Sequence, residues 1–149
     1  MTMPLILYGI YLFLAVFNAG NMTTLQLQHY NLYPFVGKET FQPYMQANNK
    51  AALIPSILPA MLLLLTSMGL LFFRPGFMSM FEALLSLLLN IVALISTFVW
   101  QRKIQSEMAL LGYNEEEVTH LVSTNWIRTT AFFVQAIMAV SLIIHALSN

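Results

Sequence analysis

Arg128 is the residue whose chemistry most needs explaining. It sits in Asn125-Trp126-Ile127-Arg128-Thr129-Thr130, at the head of the last of four apolar stretches. A guanidinium there can hold a carboxylate, phosphate or enolate oxygen through N–H donors that do not lose their charge. An ionisable group within a membrane segment is by default a functional-site hypothesis whose partner has to be named. Asn125, three residues earlier, shares its helical face and adds an amide. His29, set among Tyr30, Asn31 and Tyr33, and Tyr44 are the two candidate catalytic groups that could move a proton at such an oxygen. Thr97, Asn18 and Asn48 complete the candidate ligand-binding set.

Other chemistries find little support. The chain has no cysteine, which removes disulfides, thiol redox relays and thiolate metal sites. His29, His120 and His145 are scattered, with no pairing at helical spacing to each other or to a carboxylate, so neither a metal site nor a cofactor is expected.

The elements that must position these residues follow from composition. Apolar residues make up 58% of the 149 and charged ones only 8%, against about 25% charged in soluble domains; the mean hydropathy is +0.72. Six Lys and Arg with six Asp and Glu are too few to coat a soluble domain of this size. The zero net charge reflects that scarcity and gives no sign of nucleic-acid binding. Spans are expected at about 4–20, 51–73, 77–100 and 126–147, each near the ~20 residues a crossing helix needs. Helices rather than strands are expected, because no period-2 alternation supports a barrel. No Lys or Arg precedes Lys38, so the first span reads as a retained helix rather than a signal peptide. The predicted fold is therefore all-α, an up-down transmembrane four-helix bundle forming one integral membrane domain over residues 1–149.

Arg74-Pro75-Gly76 suits a tight turn between the second and third spans. The connections 21–50 and 101–125 are long and polar, and both fall on the other side of the bilayer. The first is too long to be a bare loop, and is expected to be a helical extension followed by a segment returning across the bundle mouth as a lid. Glu115-Glu116-Glu117 after Asn114 reads as an N-cap with acids in the first turn. Lys38, Lys50, Arg102 and Lys103 in the long connections, against Arg74 in the short one, orient those connections toward the cytoplasm and both termini outside.

Depth counting at 1.5 Å per residue puts Asn90 level with Gln135 and Thr97 level with Arg128. Glu82, the acid inside an apolar span, falls about 20 Å or more from Arg128 in depth. Candidates at Arg128's own level are Asn18, Asn21, Ser56, Thr97 and Gln101, with Glu39 or Tyr44 from the lid. Asn125, Arg128, Phe132, Gln135 and Ala139 form one stripe, and Glu82, Ser86, Asn90 and Thr97 nearly form another. Such stripes can serve simply as interhelical glue. Arg128 can alternatively snorkel to the headgroups, although a cation in the first turns of a helix beginning near Trp126 would oppose the helix dipole. Trp100 and Trp126 suit interfacial anchoring.

The run Leu121 to Thr129, with Ser96-Thr97-Phe98, Gly112-Tyr113 and Tyr33-Pro34-Phe35-Val36-Gly37 followed by Phe41 and Tyr44, resembles small bacterial four-helix membrane proteins of unknown function. Those are similar in turn to the broad family containing the fungal anthrone oxygenases. The resemblance implies that Asn125, Trp126 and Arg128 are family-typical positions, and that the membrane is a bacterial inner membrane. The chain departs from it where members carry a histidine after the first-loop tyrosine, an acid inside the second helix, and Pro with His after the third: here stand Asn48, Leu62-Leu63-Leu64-Leu65 and Gln101-Arg102-Lys103.

Two functions follow. One is a non-catalytic membrane subunit or binding protein with a polar site around Arg128, whose partners are the lipid bilayer and either a lipophilic small molecule, another protein or a second copy of the chain. The other is a cofactor-independent oxygenase acting on a lipophilic anthrone or enol. A transporter ranks third, because neither a repeat nor a broken-helix pair is visible.

Overall fold

In the computed structural model, which describes residues 2–148, every regular element is helical. Six α-helices are labelled α1 (Met3–Thr24), α2 (Lys38–Ala51), α3 (Leu58–Phe72), α4 (Met80–Ser96), α5 (Arg102–Leu111) and α6 (Glu115–Ser148). Wider i→i+5 turns join several of them: Leu25–His29 follows α1, Leu53–Ile57 precedes α3, and Thr97–Gln101 links α4 to α5. The tighter turns of Tyr30–Phe35 continue the first of these. Four helical runs result, Met3–Phe35, Leu53–Phe72, Met80–Leu111 and Glu115–Ser148, each long and apolar enough to cross a membrane.

α1 packs against α3 and α6, and α4 packs against the same two, which makes a four-cornered bundle. Its interior is built largely from alanines (Ala15, Ala19, Ala60, Ala83, Ala93, Ala131, Ala136, Ala139) interleaved with Tyr8, Tyr11, Leu63 and Phe132. Outward-facing positions such as Ile10, Phe13, Leu65, Phe133 and Ile137 are exposed and apolar, as a lipid-facing surface requires. Near the middle, Gln135 Nε2 donates to Ser86 Oγ (2.9 Å) and Asn90 Nδ2 to Ser67 Oγ (2.9 Å). Asn90 and Gln135 are thus level, through the two serines.

Three of the runs are longer than a bilayer crossing needs. At 1.5 Å per residue a 33-residue run such as Met3–Phe35 is about 50 Å long, against ~30 Å of hydrocarbon. The surplus builds a cap. Here α2 folds back along α5, and Tyr30, Tyr33, Phe41, Met45, Ile104, Met108, Val118 and Leu121 close a second core. Tyr33 is its hub, with its ring 5.6 Å from Tyr30, 5.8 Å from Phe41 and 6.0 Å from Tyr44.

The segment 101–125, expected as a polar connection, is instead helix almost throughout. Charge at Arg102-Lys103 marks where the apolar stretch ends, and the chain reverses only at Gly112, whose φ of 94° favours glycine. Asn114 Oδ1 then accepts from the backbone N–H of Glu116 (2.9 Å) and Glu117 (3.3 Å), capping α6 as its sequence signature predicts. At the far end, Glu82 closes a capping box with Ser79, whose backbone N–H donates to Glu82 Oε2 at 2.6 Å.

Candidate functional site

Arg128 lies at the junction of the two cores and is 6% exposed. It is the fourteenth residue of α6, counting from Glu115, so the expectation that it opposes the dipole at a helix start does not hold; the helix begins well before the apolar span. The buried side chain also argues against snorkelling. Its Nε donates to Asn125 Oδ1, one turn back, and its Nη2 to the Tyr30 hydroxyl at 2.5 Å. Both partners are neutral. Of the five N–H donors on a guanidinium, two are thus taken, and among the described residues the other three have no protein acceptor.

The partners are themselves fixed. Asn125 Nδ2 donates to Gln26 Oε1 (2.6 Å) and Thr129 Oγ1 (3.2 Å), while Gln26 Nε2 reaches the Val122 carbonyl (3.2 Å). Gln105 Nε2 donates to the Tyr30 hydroxyl at 3.3 Å. These bonds tie the first, third and fourth long runs together at one depth.

Beside Arg128 is a cavity of about 40 Å³. Its floor is buried: Arg128, Tyr30, Thr97 and Gln101. Its rim is half-exposed and two-sided, with Leu25, Ala52 and Ile57 apolar, and His29, Asn48, Arg102 and Gln105 polar. Ser56 completes the lining, and no lining residue is acidic. All three wide turns contribute: Leu25 and His29 from the first, Ser56 and Ile57 from the second, Thr97 and Gln101 from the third. In an α-helix, residues four apart drift by about 40° per step. Residues four apart still share a helix face, and Leu25 and His29, Ala52 and Ser56, and Thr97, Gln101 and Gln105 all face this one space. Wide turns recur at functional sites.

The sequence candidates divide accordingly. Thr97, Asn48 and His29 line the cavity with Arg128. Thr97 Oγ1 is bonded to the Ala93 carbonyl (2.8 Å), and Asn48 bridges His29 Nε2 (3.1 Å) and the Tyr33 hydroxyl (3.4 Å). Asn125 positions the guanidinium without lining the cavity. Asn18 is buried but donates to Leu14 O in its own helix (2.8 Å), and it does not line the cavity either. Tyr44 lies outside the cavity, edge-on to Tyr33 and tilted against Phe41, where burial pushes its phenol pKa up. Glu39, in the first turn of α2, is exposed and is not part of the lining.

Sequence reasoning missed Tyr30, Gln26, Gln105 and Arg102 as members of the site. Asn18, Met22, Gln26 and Tyr30 recur every four residues, and continuing that stripe past Gly20 would have brought Gln26 and Tyr30 into line. Comparison with known proteins gives no family model, no curated relative and no solved structure that matches the chain.

Proposed function

We propose that this chain is an integral membrane protein that binds the anionic end of a lipophilic molecule at the junction of bundle and cap. One observation carries this reading: a buried guanidinium holds two neutral partners and keeps its remaining donors beside a cavity that no acid lines. A buried ion without a counter-charge costs several kcal/mol. Hydrogen bonds to a charged group return only about 1.5–3 kcal/mol each. An anion in the cavity supplies what the protein leaves out. The cap takes the cytoplasmic side, since Lys38, Lys50, Arg102 and Lys103 belong to it and Arg74 to the opposite turn.

The test is mass spectrometry of small molecules retained by the detergent-purified protein and by Arg128→Gln. The native chain is expected to retain an anionic amphiphile that the variant loses while keeping its fold. A folded variant with an unchanged complement of bound molecules overturns the proposal.

A second reading is favoured by one feature, the presence of His29 on the same cavity as Arg128. An enolate oxygen on Arg128 with His29 as the base is the arrangement an oxygenase of anthrone-type substrates would use. It ranks second, because His29 Nε2 is already engaged by Asn48 Oδ1 at 3.1 Å. Consumption of oxygen by the purified protein with an anthrone would put it first.

A further inference from the structure

The hydroxyl of Tyr30 accepts two hydrogen bonds, from Arg128 Nη2 at 2.5 Å and from Gln105 Nε2 at 3.3 Å. A phenol oxygen has two acceptor sites and one hydrogen to give. Both acceptor sites are filled. The hydrogen has no acceptor among the described residues, and Tyr30 is on the cavity floor, 1% exposed. Arg128, next to it, keeps donors of its own. The floor therefore presents two kinds of donor on adjacent residues: one neutral O–H, and the N–H groups of a cation.

Size narrows what can accept from both. The space, about 40 Å³, is far below the ~300–1,000 Å³ of a pocket that encloses a drug-sized ligand, so it takes a head group and leaves the rest of the molecule outside. One carbon with two oxygens offers one acceptor to each of the two donor residues. A phosphate monoester brings a third terminal oxygen to be matched. The rim fixes what is attached. On the bundle side it is apolar, through Leu25, Ala52 and Ile57, and beyond it Leu53, Ile54 and Leu58 are exposed. On the cap side it is polar and carries the second cation, Arg102. A molecule entering head first would leave its tail along Ile57 and Leu25 toward the lipid.

We infer that the ligand is a long-chain carboxylate, with one carboxylate oxygen accepting from Tyr30 O–H and the other from the free N–H groups of Arg128. This rests on the anion-binding reading and names the class of its ligand. Tyr30 is then the residue that sets specificity for an oxygen acceptor, while Arg128 supplies the charge.

The experiment compares four chain-matched probes, hexadecanoate, methyl hexadecanoate, hexadecanol and hexadecyl phosphate, for binding to the purified full chain in detergent. Hexadecanoate is expected to bind at least tenfold tighter than the others, about 1.4 kcal/mol or more. Tyr30→Phe is expected to weaken it about tenfold, and Arg128→Gln more. Since Tyr30→Phe also removes an acceptor from Arg128, an infrared readout keeps the contact testable. At saturation, the carboxylate stretch of carboxyl-labelled hexadecanoate is expected to shift between native protein and variant; identical spectra overturn the Tyr30 contact. Tighter binding of the phosphate, with the ester and alcohol still weak, overturns the carboxylate class and leaves the anion site standing. Equal binding of the alcohol, or hexadecanoate binding unaffected by Arg128→Gln, overturns both.

Discussion

On one side of Arg128 the helices meet through Ala15, Ala19, Ala83, Ala93, Ala131, Ala136 and Ala139; on the other they meet through Tyr30, Tyr33, Phe41, Met45 and Met108. The first core lies among helices whose outer faces are apolar, and a lipid surround would be as good a solvent for leucine as another helix is. Association there depends on close backbone approach and a few polar contacts, hence the alanines and the Ser67, Ser86, Asn90 and Gln135 layer. The second core has charged residues around it, including Lys38, Glu39, Lys50, Arg102, Lys103, Glu107 and Glu115 to Glu117. Large rings removed from water supply its cohesion. Of the twelve Lys, Arg, Asp and Glu, nine surround the cap, Arg74 and Glu82 lie at the far end of the bundle, and Arg128 sits between the two cores.

Breaking the cap core should have the largest effect. Phe41→Ala removes a fully buried ring and is expected to destabilise the cap by about 3–5 kcal/mol. Hydrogen exchange should show α2 and α5 opening while α1, α3, α4 and α6 stay protected below Arg128.

The bundle core should respond to the opposite change. Ala139→Leu overfills a site with no exposure, against Tyr8, whose hydroxyl donates to the Ala139 carbonyl at 2.6 Å. A loss of about 1–3 kcal/mol is expected, read as a lower unfolding midpoint in detergent. Smaller still is Asn114→Ala, which removes the α6 cap and should cost about 1 kcal/mol. Local exchange at Glu116 and Glu117 is expected to rise with it. Smallest is Gln135→Leu, at about 0.6 kcal/mol in thermal melts, the average for a polar contact between membrane helices. A loss above that of Asn114→Ala would mean that the polar layer, rather than alanine packing, holds the bundle.

The apolar half was far more legible than the capped half. Hydropathy alone locates four long helices, and depth counting along α4 and α6 brings Asn90 to Gln135 through the serines and Thr97 to the Arg128 cavity. Glu82 is found at the far end, serving its own helix. Past residue 20 the helical extension is expected, but past residue 101 the same reading loses the helix, because polar residues there signal the end of an apolar stretch and not departure from helix. Tyr30 as a partner of Arg128 was hidden for a related reason. The two are 98 positions apart in the chain, and only the continuation of α1 into the cap brings them together. The wide turns have no composition signal of their own; Pro55 falls in one of the three and the others lack proline.

Those turns also separate chain length from helix phase. An i→i+5 ring holds one residue more than an α-helical ring, so a single-residue deletion within Thr97–Gln101 can be absorbed by closing the turn to α-helix, with Met80–Ser96 and Arg102–Leu111 keeping their faces. The same deletion in α6, which has no such turn, would rotate everything beyond it by about 100° and carry Arg128 off its face. Natural variation in length is therefore expected at the cavity on three of the helical runs, and not on the fourth.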